Sequence, residues 1–188
     1  MRRRTAVALT TGFVGMALAL SLLVPSEEFQ QGPYVGTIPA LDTRADSREF
    51  SVTVTGARLA DRVQTPEWTG TTPGVWLVVD IVFERRIDHG PITGAFRIGD
   101  VEYLLSTRPD DASIDGGASS QPGIPWAGSM LIELPLAALD DPDAGVSVLR
   151  FATQSDPRLD GVLDYTIDLG SLDHESSISI FEPERVAP

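Results

Sequence analysis

Between Phe50 and Leu169 the apolar residues recur at every second position, in runs the length of strands. Phe50, Val52 and Val54 alternate with Ser51, Thr53 and Thr55, the pattern of a strand with one buried face. Leu77, Val79, Ile81 and Phe83 share one face of the next strand. Its other face, Trp76, Val78, Asp80 and Val82, is also mostly apolar, as expected of a central strand covered on both sides. Phe96-Arg97-Ile98 and Val101-Glu102-Tyr103 flank Gly99-Asp100, a two-residue loop suited to a tight hairpin. Met130, Ile132 and Leu134, then Val146, Val148 and Phe151, then Leu163, Tyr165, Ile167 and Leu169 complete about seven strands. Glycine, proline and aspartate separate the runs. Leu136–Leu139, ahead of Asp140-Asp141-Pro142, is long enough for one helical turn. Several short strands without intervening helices predict an all-β fold, an antiparallel β-sandwich over residues 48–170.

The chain has no cysteine, which excludes disulfides, thiol catalysis and zinc–thiolate sites. All 14 basic residues are arginine, and both lysine and asparagine are absent. That composition fits a GC-rich bacterial genome and leaves no N-glycosylation acceptor. Beyond residue 25 there are 11 basic residues against 27 acidic ones, a net charge of −16. Such a body repels nucleic acid and anionic lipid, and the acidity serves solubility.

Few residues of the chain suit catalysis. The only histidines are His89, in the turn Asp88-His89-Gly90-Pro91, and His174, in Asp173-His174-Glu175. Neither belongs to a nucleophile elbow or a zinc-binding helix, and no glycine-rich phosphate loop follows a strand. The residues therefore point to a chain that is not an enzyme and carries no catalytic or cofactor-binding residue. One ligand-like pattern stands out: Asp111, Ser113 and Asp115, followed by Gly116, match the alternating oxygen ligands and the turn glycine of a calcium loop. Position 12 of that loop should be a bidentate glutamate and is Pro122, so calcium is a weak expectation against an acidic connecting loop. Trp76 belongs to the core-strand pattern. Trp68, in Thr65-Pro66-Glu67-Trp68-Thr69-Gly70, and Trp126, after Pro125, sit at loop positions, where aromatics cap a sandwich or anchor a partner.

The run Gly74-Val75-Trp76-Leu77-Val78-Val79-Asp80-Ile81 is followed by the Arg97-Ile98-Gly99-Asp100 hairpin. Gly123-Ile124-Pro125 then precedes a strand ending Glu133-Leu134-Pro135. Together these resemble a group of actinobacterial exported immunoglobulin-like domains, similar in kind to secreted mycobacterial antigens and to membrane-anchored domains of unknown function. The resemblance covers about residues 48–170. It implies an immunoglobulin-like sandwich outside the membrane and supplies no catalytic residue.

Ahead of the strands, Arg2–Arg4 precede an uncharged run from Thr5 to Val24. At about 1.5 Å per residue, twenty helical residues match the roughly 30 Å bilayer core. The run is longer than a secretory h-region, and large residues, Leu22-Leu23-Val24, stand where a cleavage site needs small ones. An uncleaved signal anchor is therefore preferred over a cleaved signal. The basic flank, 1–4, belongs in the cytoplasm and the body outside. This expected layout continues with a transmembrane anchor at 5–24, a stalk at 25–47 rich in proline and glycine, the sandwich at 48–170 and a tail at 171–188. The expected function is a membrane-anchored, extracytoplasmic binding or accessory module. Residues 5–24 would meet the lipid bilayer, and the domain a membrane-protein partner such as a transporter or envelope complex. The alternative is a ligand-binding domain for cell-wall polymer or a divalent cation.

Overall fold

The computed structural model describes residues 13–16, 21, 32–38, 40–108 and 112–186. The chain divides into two units, residues 1–32 and 33–188. In the first, residues 13–16 and Ser21 are helical; the remainder of the expected span 5–24 lies outside the described residues. Among the described residues no helix is long and apolar enough to cross a membrane.

The second unit is a β-sandwich. Strands β1 (Tyr34–Ile38), β2 (Ala45–Asp46), β3 (Phe50–Gln64), β4 (Thr69–Arg85), β5 (Thr93–Ile98) and β6 (Val101–Leu104) come first. A four-residue helix, α1 (Ile114–Gly117), precedes β7 (Trp126–Leu134), β8 (Ser147–Ala152) and β9 (Gly161–Ile167). Three short pieces follow: β10 (His174–Glu175), β11 (Ile178–Ser179) and β12 (Glu184–Arg185). One sheet has the order β1-β9-β8-β5-β6 and the other β10-β3-β4-β7-β12, with β2 and β11 also on β3. Strands β3 to β9 fall on the seven alternating runs, and β4 is central in its sheet. Its Leu77, Val79, Ile81 and Phe83 face the main core between the sheets. The Leu136–Asp140 segment forms a 3-10 helix.

Five short strands lie outside those runs. The expected stalk holds β1 and β2, and the expected tail holds β10, β11 and β12. Strands β1, β10 and β11 pair in parallel, so the sandwich is not purely antiparallel. These pieces sit at sheet edges, where one row of backbone hydrogen bonds suffices and the side-chain pattern is weak.

Strand β3 stays in place over 15 residues because its register slips where its pattern does. A bulge lies between Val54 and Gly56. Before it the even positions Phe50, Val52 and Val54 face the core; after it Ala57 and Leu59 do. One extra residue inverts the side-chain phase, and the bulge restores the apolar face. A second irregularity lies between Ala60 and Arg62, opposite the Pro73-Gly74 segment of β4. Gly74 is required there, since a Cβ would lie 1.9 Å from the Leu134 carbonyl oxygen. At the β5–β6 hairpin Gly99 takes φ +53°, a left-handed conformation that glycine adopts without strain.

Tyr165 of β9 ties the two sheets together. Its ring packs edge-on against Phe151 with centroids 5.7 Å apart. Its hydroxyl, the donor, lies 2.6 Å from the Thr43 carbonyl oxygen and 2.8 Å from that of Val52. Burial pushes its pKa up from 10.0 to about 12, against the backbone contacts of Val54 and Ala45. The unfolded chain therefore releases this proton first as pH rises. The contribution of Tyr165 is whole below pH 10 and is lost as pH climbs to about 12. At about 1.4 kcal/mol per unit, the loss is about 3 kcal/mol. Urea unfolding across that range should show this fall, and Tyr165→Phe should remove that part of it.

Candidate functional site

The last segment of the chain crosses the outer face of the β3-β4-β7 sheet. The Leu59 N–H donates to the Asp173 carbonyl oxygen at 2.8 Å, and β10 and β11 then run along β3. The Ile180 N–H reaches the Gln64 carbonyl oxygen at 2.9 Å. On the opposite edge Glu184 pairs with Ala127 and Arg185 with Trp126, and the Val186 N–H donates to the Pro125 carbonyl oxygen at 3.0 Å. Residues 173–186 thus form a strap from one edge of the sheet to the other.

The sequence dictates that strap through the second face of β4. Trp76 and Val78 point away from the main core, and with Ala60, Val63 and Leu131 they would leave an apolar patch in water. Ile178 and Ile180 of the strap and Ala112 of the α1 approach cover it. Trp68 packs edge-on to Trp76, centroids 6.1 Å apart. The Arg108 guanidinium carbon stands 5.5 Å from one ring centroid and 5.7 Å from the other, a stacked cation on two indoles. Trp68 is therefore a packing residue of this second cluster. Trp126 is half-buried against the main core and carries Arg185 of the strap 5.4 Å from its ring centroid.

Beside the strap lies a cleft of about 410 Å3, lined by Arg58, Asp80, Ser129, Phe181, Glu182 and Glu184 among others. Asp80 is its fixed point: Arg58 Nη2 lies 2.7 Å from one carboxylate oxygen, and the Ser129 hydroxyl donates to the other at 2.6 Å. Arg58 also reaches Glu175 of β10 at 3.5 Å. Phe181 is 70 % exposed at the cleft edge. Among the described residues neither Glu182 nor Glu184 has an ion-pair partner. The cleft thus offers an apolar ring, two free carboxylates and a rigid polar floor, a set that suits contact with a polypeptide.

The remaining sequence candidates lie elsewhere. The hydroxyl of buried Ser113 bonds the Asp115 carboxylate and lies 3.4 Å from the Ser129 carbonyl oxygen; Asp111 is outside the described residues. Among the described residues no three acidic or histidine side chains gather as metal ligands would. His174 pairs with Asp61 at 2.9 Å on the surface, and His89 is exposed. Phe181 and the Asp80–Arg58–Ser129 triad escape a sequence search. Their only signal is the short alternation Ser177-Ile178-Ser179-Ile180 ahead of Phe181.

No protein-family model and no curated protein matches the chain. Among solved structures it is similar to an uncharacterized β-sandwich protein from Clostridium difficile 630, with 10 % identity and a TM-score of 0.46, over 77 % of this chain and 99 % of that one.

Proposed function

We propose that the chain is a single-pass membrane protein carrying an immunoglobulin-like domain on the outer face of the membrane. There it acts as a non-catalytic accessory module that holds a membrane-protein partner. The anchor reading rests on Arg2–Arg4 and the uncharged run Thr5–Val24. The partner reading rests on one observation: Phe181 stands exposed on the strap beside a preformed cleft and two glutamates that have no ion-pair partner among the described residues. Exposed aromatics flanked by polar rims are frequent interface anchors. The acidic body favours a partner surface of opposite charge.

A photo-crosslinking side chain placed at Phe181 in the native host, followed by isolation of membranes, tests this reading. One discrete adduct is expected at Phe181 and none at Val101, exposed on strand β6 of the other sheet. With the crosslinking side chain moved to neighbouring Glu182, Phe181→Ala should reduce recovery of the adduct at least tenfold, a loss of about 1.4 kcal/mol or more. Replacing His89 and His174 by alanine should leave recovery and any cellular phenotype unchanged. A phenotype lost in the histidine variant and kept in the aromatic variant would refute the reading.

A further inference from the structure

The fold shortens the tether that the anchor reading requires. The expected stalk, 25–47, could extend over roughly 80 Å. Most of it belongs to the sandwich instead, since β1 begins at Tyr34 and β2 holds Ala45–Asp46. Nine residues, 25–33, separate Val24 from Tyr34. However they are arranged, they span no more than about 30 Å. On the anchor reading, the corner of the domain at Tyr34 stays within that distance of the bilayer.

That corner is apolar. Tyr34, Val35 and Leu159 line a hollow of about 290 Å3 together with the buried Val162 and Leu163. Tyr34 is 73 % exposed, Leu159 54 % and Val35 49 %. The Tyr34 N–H donates to the Asp160 carbonyl oxygen at 2.8 Å, which fixes the start of β1 to the loop that carries Leu159. The Asp160 N–H in turn reaches the Pro157 carbonyl oxygen at 3.0 Å. Within this turn Leu159 takes φ +64°, a conformation that glycine adopts freely and leucine does not. The loop holds an apolar side chain outward against backbone strain, and such strain clusters where a protein makes contact.

Charge decides what the corner meets. Arg48, which also lines the hollow, pairs with Glu49 at 3.0 Å, and Arg158 pairs with Asp156 at 2.6 Å. Neither arginine is free for a phosphate, and the body carries a net charge of −16 beyond residue 25, so an anionic surface is repelled. What remains is a tyrosine ring beside two aliphatic side chains, the kind of group found at the level of lipid headgroups. A short tether keeps the corner and the lipid at an effective concentration on the order of millimolar, so a weak contact suffices.

We propose that this corner rests on the bilayer interface, with Tyr34, Val35 and Leu159 entering the headgroup region of neutral lipid. The domain then stands against the membrane and not clear of it. The inference rests on the anchor reading and is separate from the partner cleft, which lies on the other sheet.

Because the chain has no cysteine, spin labels can be placed one at a time. The full chain is reconstituted in phosphatidylcholine vesicles with a label on Arg158→Cys, beside Leu159. Parallel samples carry it on Val101→Cys, at the opposite edge of the same sheet, and on Val14→Cys in the proposed anchor. The ratio of collisions with oxygen to collisions with a polar nickel chelate reports contact with lipid. At Arg158→Cys it should exceed the Val101→Cys value at least roughly threefold, because the chelate is excluded where apolar chains begin. Tyr34→Ser with Leu159→Gly, both at exposed positions, should bring it down to the Val101→Cys value with an unchanged near-ultraviolet spectrum. A lipid-like Val14→Cys label with equal ratios at the other two sites would overturn this proposal and leave the anchor standing. A water-like Val14→Cys label would overturn both. A ratio that survives the double variant, or a contact that needs added anionic lipid, would also overturn the proposal. Dipolar broadening between labels on neighbouring chains would do the same, by marking contact with a second copy.

Discussion

Replacing Phe83 by alanine is expected to destabilise the domain by about 3–5 kcal/mol. Phe83 is fully buried on the central strand. It stands opposite Val52 of β3 on one side and Trp126 of β7 on the other. Truncation removes a whole ring from between two laddered neighbours whose backbones cannot close in, so most of the void persists. Against a typical total of about 5–15 kcal/mol, that is a large share. A denaturant curve should show an earlier midpoint at unchanged slope. A loss below about 1 kcal/mol would mean that the side chain is not enclosed as described.

Removing the strap should cost at least as much. Ile178→Ala with Ile180→Ala is expected to lose about 5 kcal/mol, since both side chains are buried over Trp76, Val78 and Leu131. Truncation after Leu172 goes further: it exposes the fully buried indole of Trp76 and removes the strands that pair with β3 at Leu59–Ala60 and Val63–Gln64 and with β7 at Trp126–Ala127. The truncated chain should bind hydrophobic dye and aggregate, with tryptophan emission shifted to the red. A truncated chain that keeps native emission and midpoint would show that the strap is only decoration.

Six of the seven principal strands were legible because each buries apolar residues in alternation, while β6, exposed except at half-buried Tyr103, was legible from the Gly99-Asp100 hairpin that joins it to β5. Leu77 to Phe83 is the clearest case, and even its second apolar face, Trp76 and Val78, correctly marked β4 as central. What covers that second face was not legible. The strap offers two isoleucines between serines, and its pairing with β3 joins residues more than a hundred positions apart. Strand β1 was hidden for a related reason: Tyr34 and Val35 are exposed on an edge, and Gly36 breaks the pattern. Trp68 shows the limit for sites. Its loop position left capping and partner contact both open, and its ring packs edge-on against Trp76 in the ladder whose register shifts around Ala60 and Pro73-Gly74.

The strap also sets a clock on biosynthesis. Trp76 leaves the ribosome roughly 100 residues ahead of Ile180, which at about 5–20 residues per second is an interval of about 5–20 s. Through that interval the central strand can find β3, and later β7, yet its outer face has no cover. The second apolar cluster of the domain is covered only once Ile178 and Ile180 of the strap have been made. A nascent chain stalled after Leu172 would hold a formed ladder with an open apolar face, a substrate for holdase chaperones. A chain extended through the strap would close that face by itself.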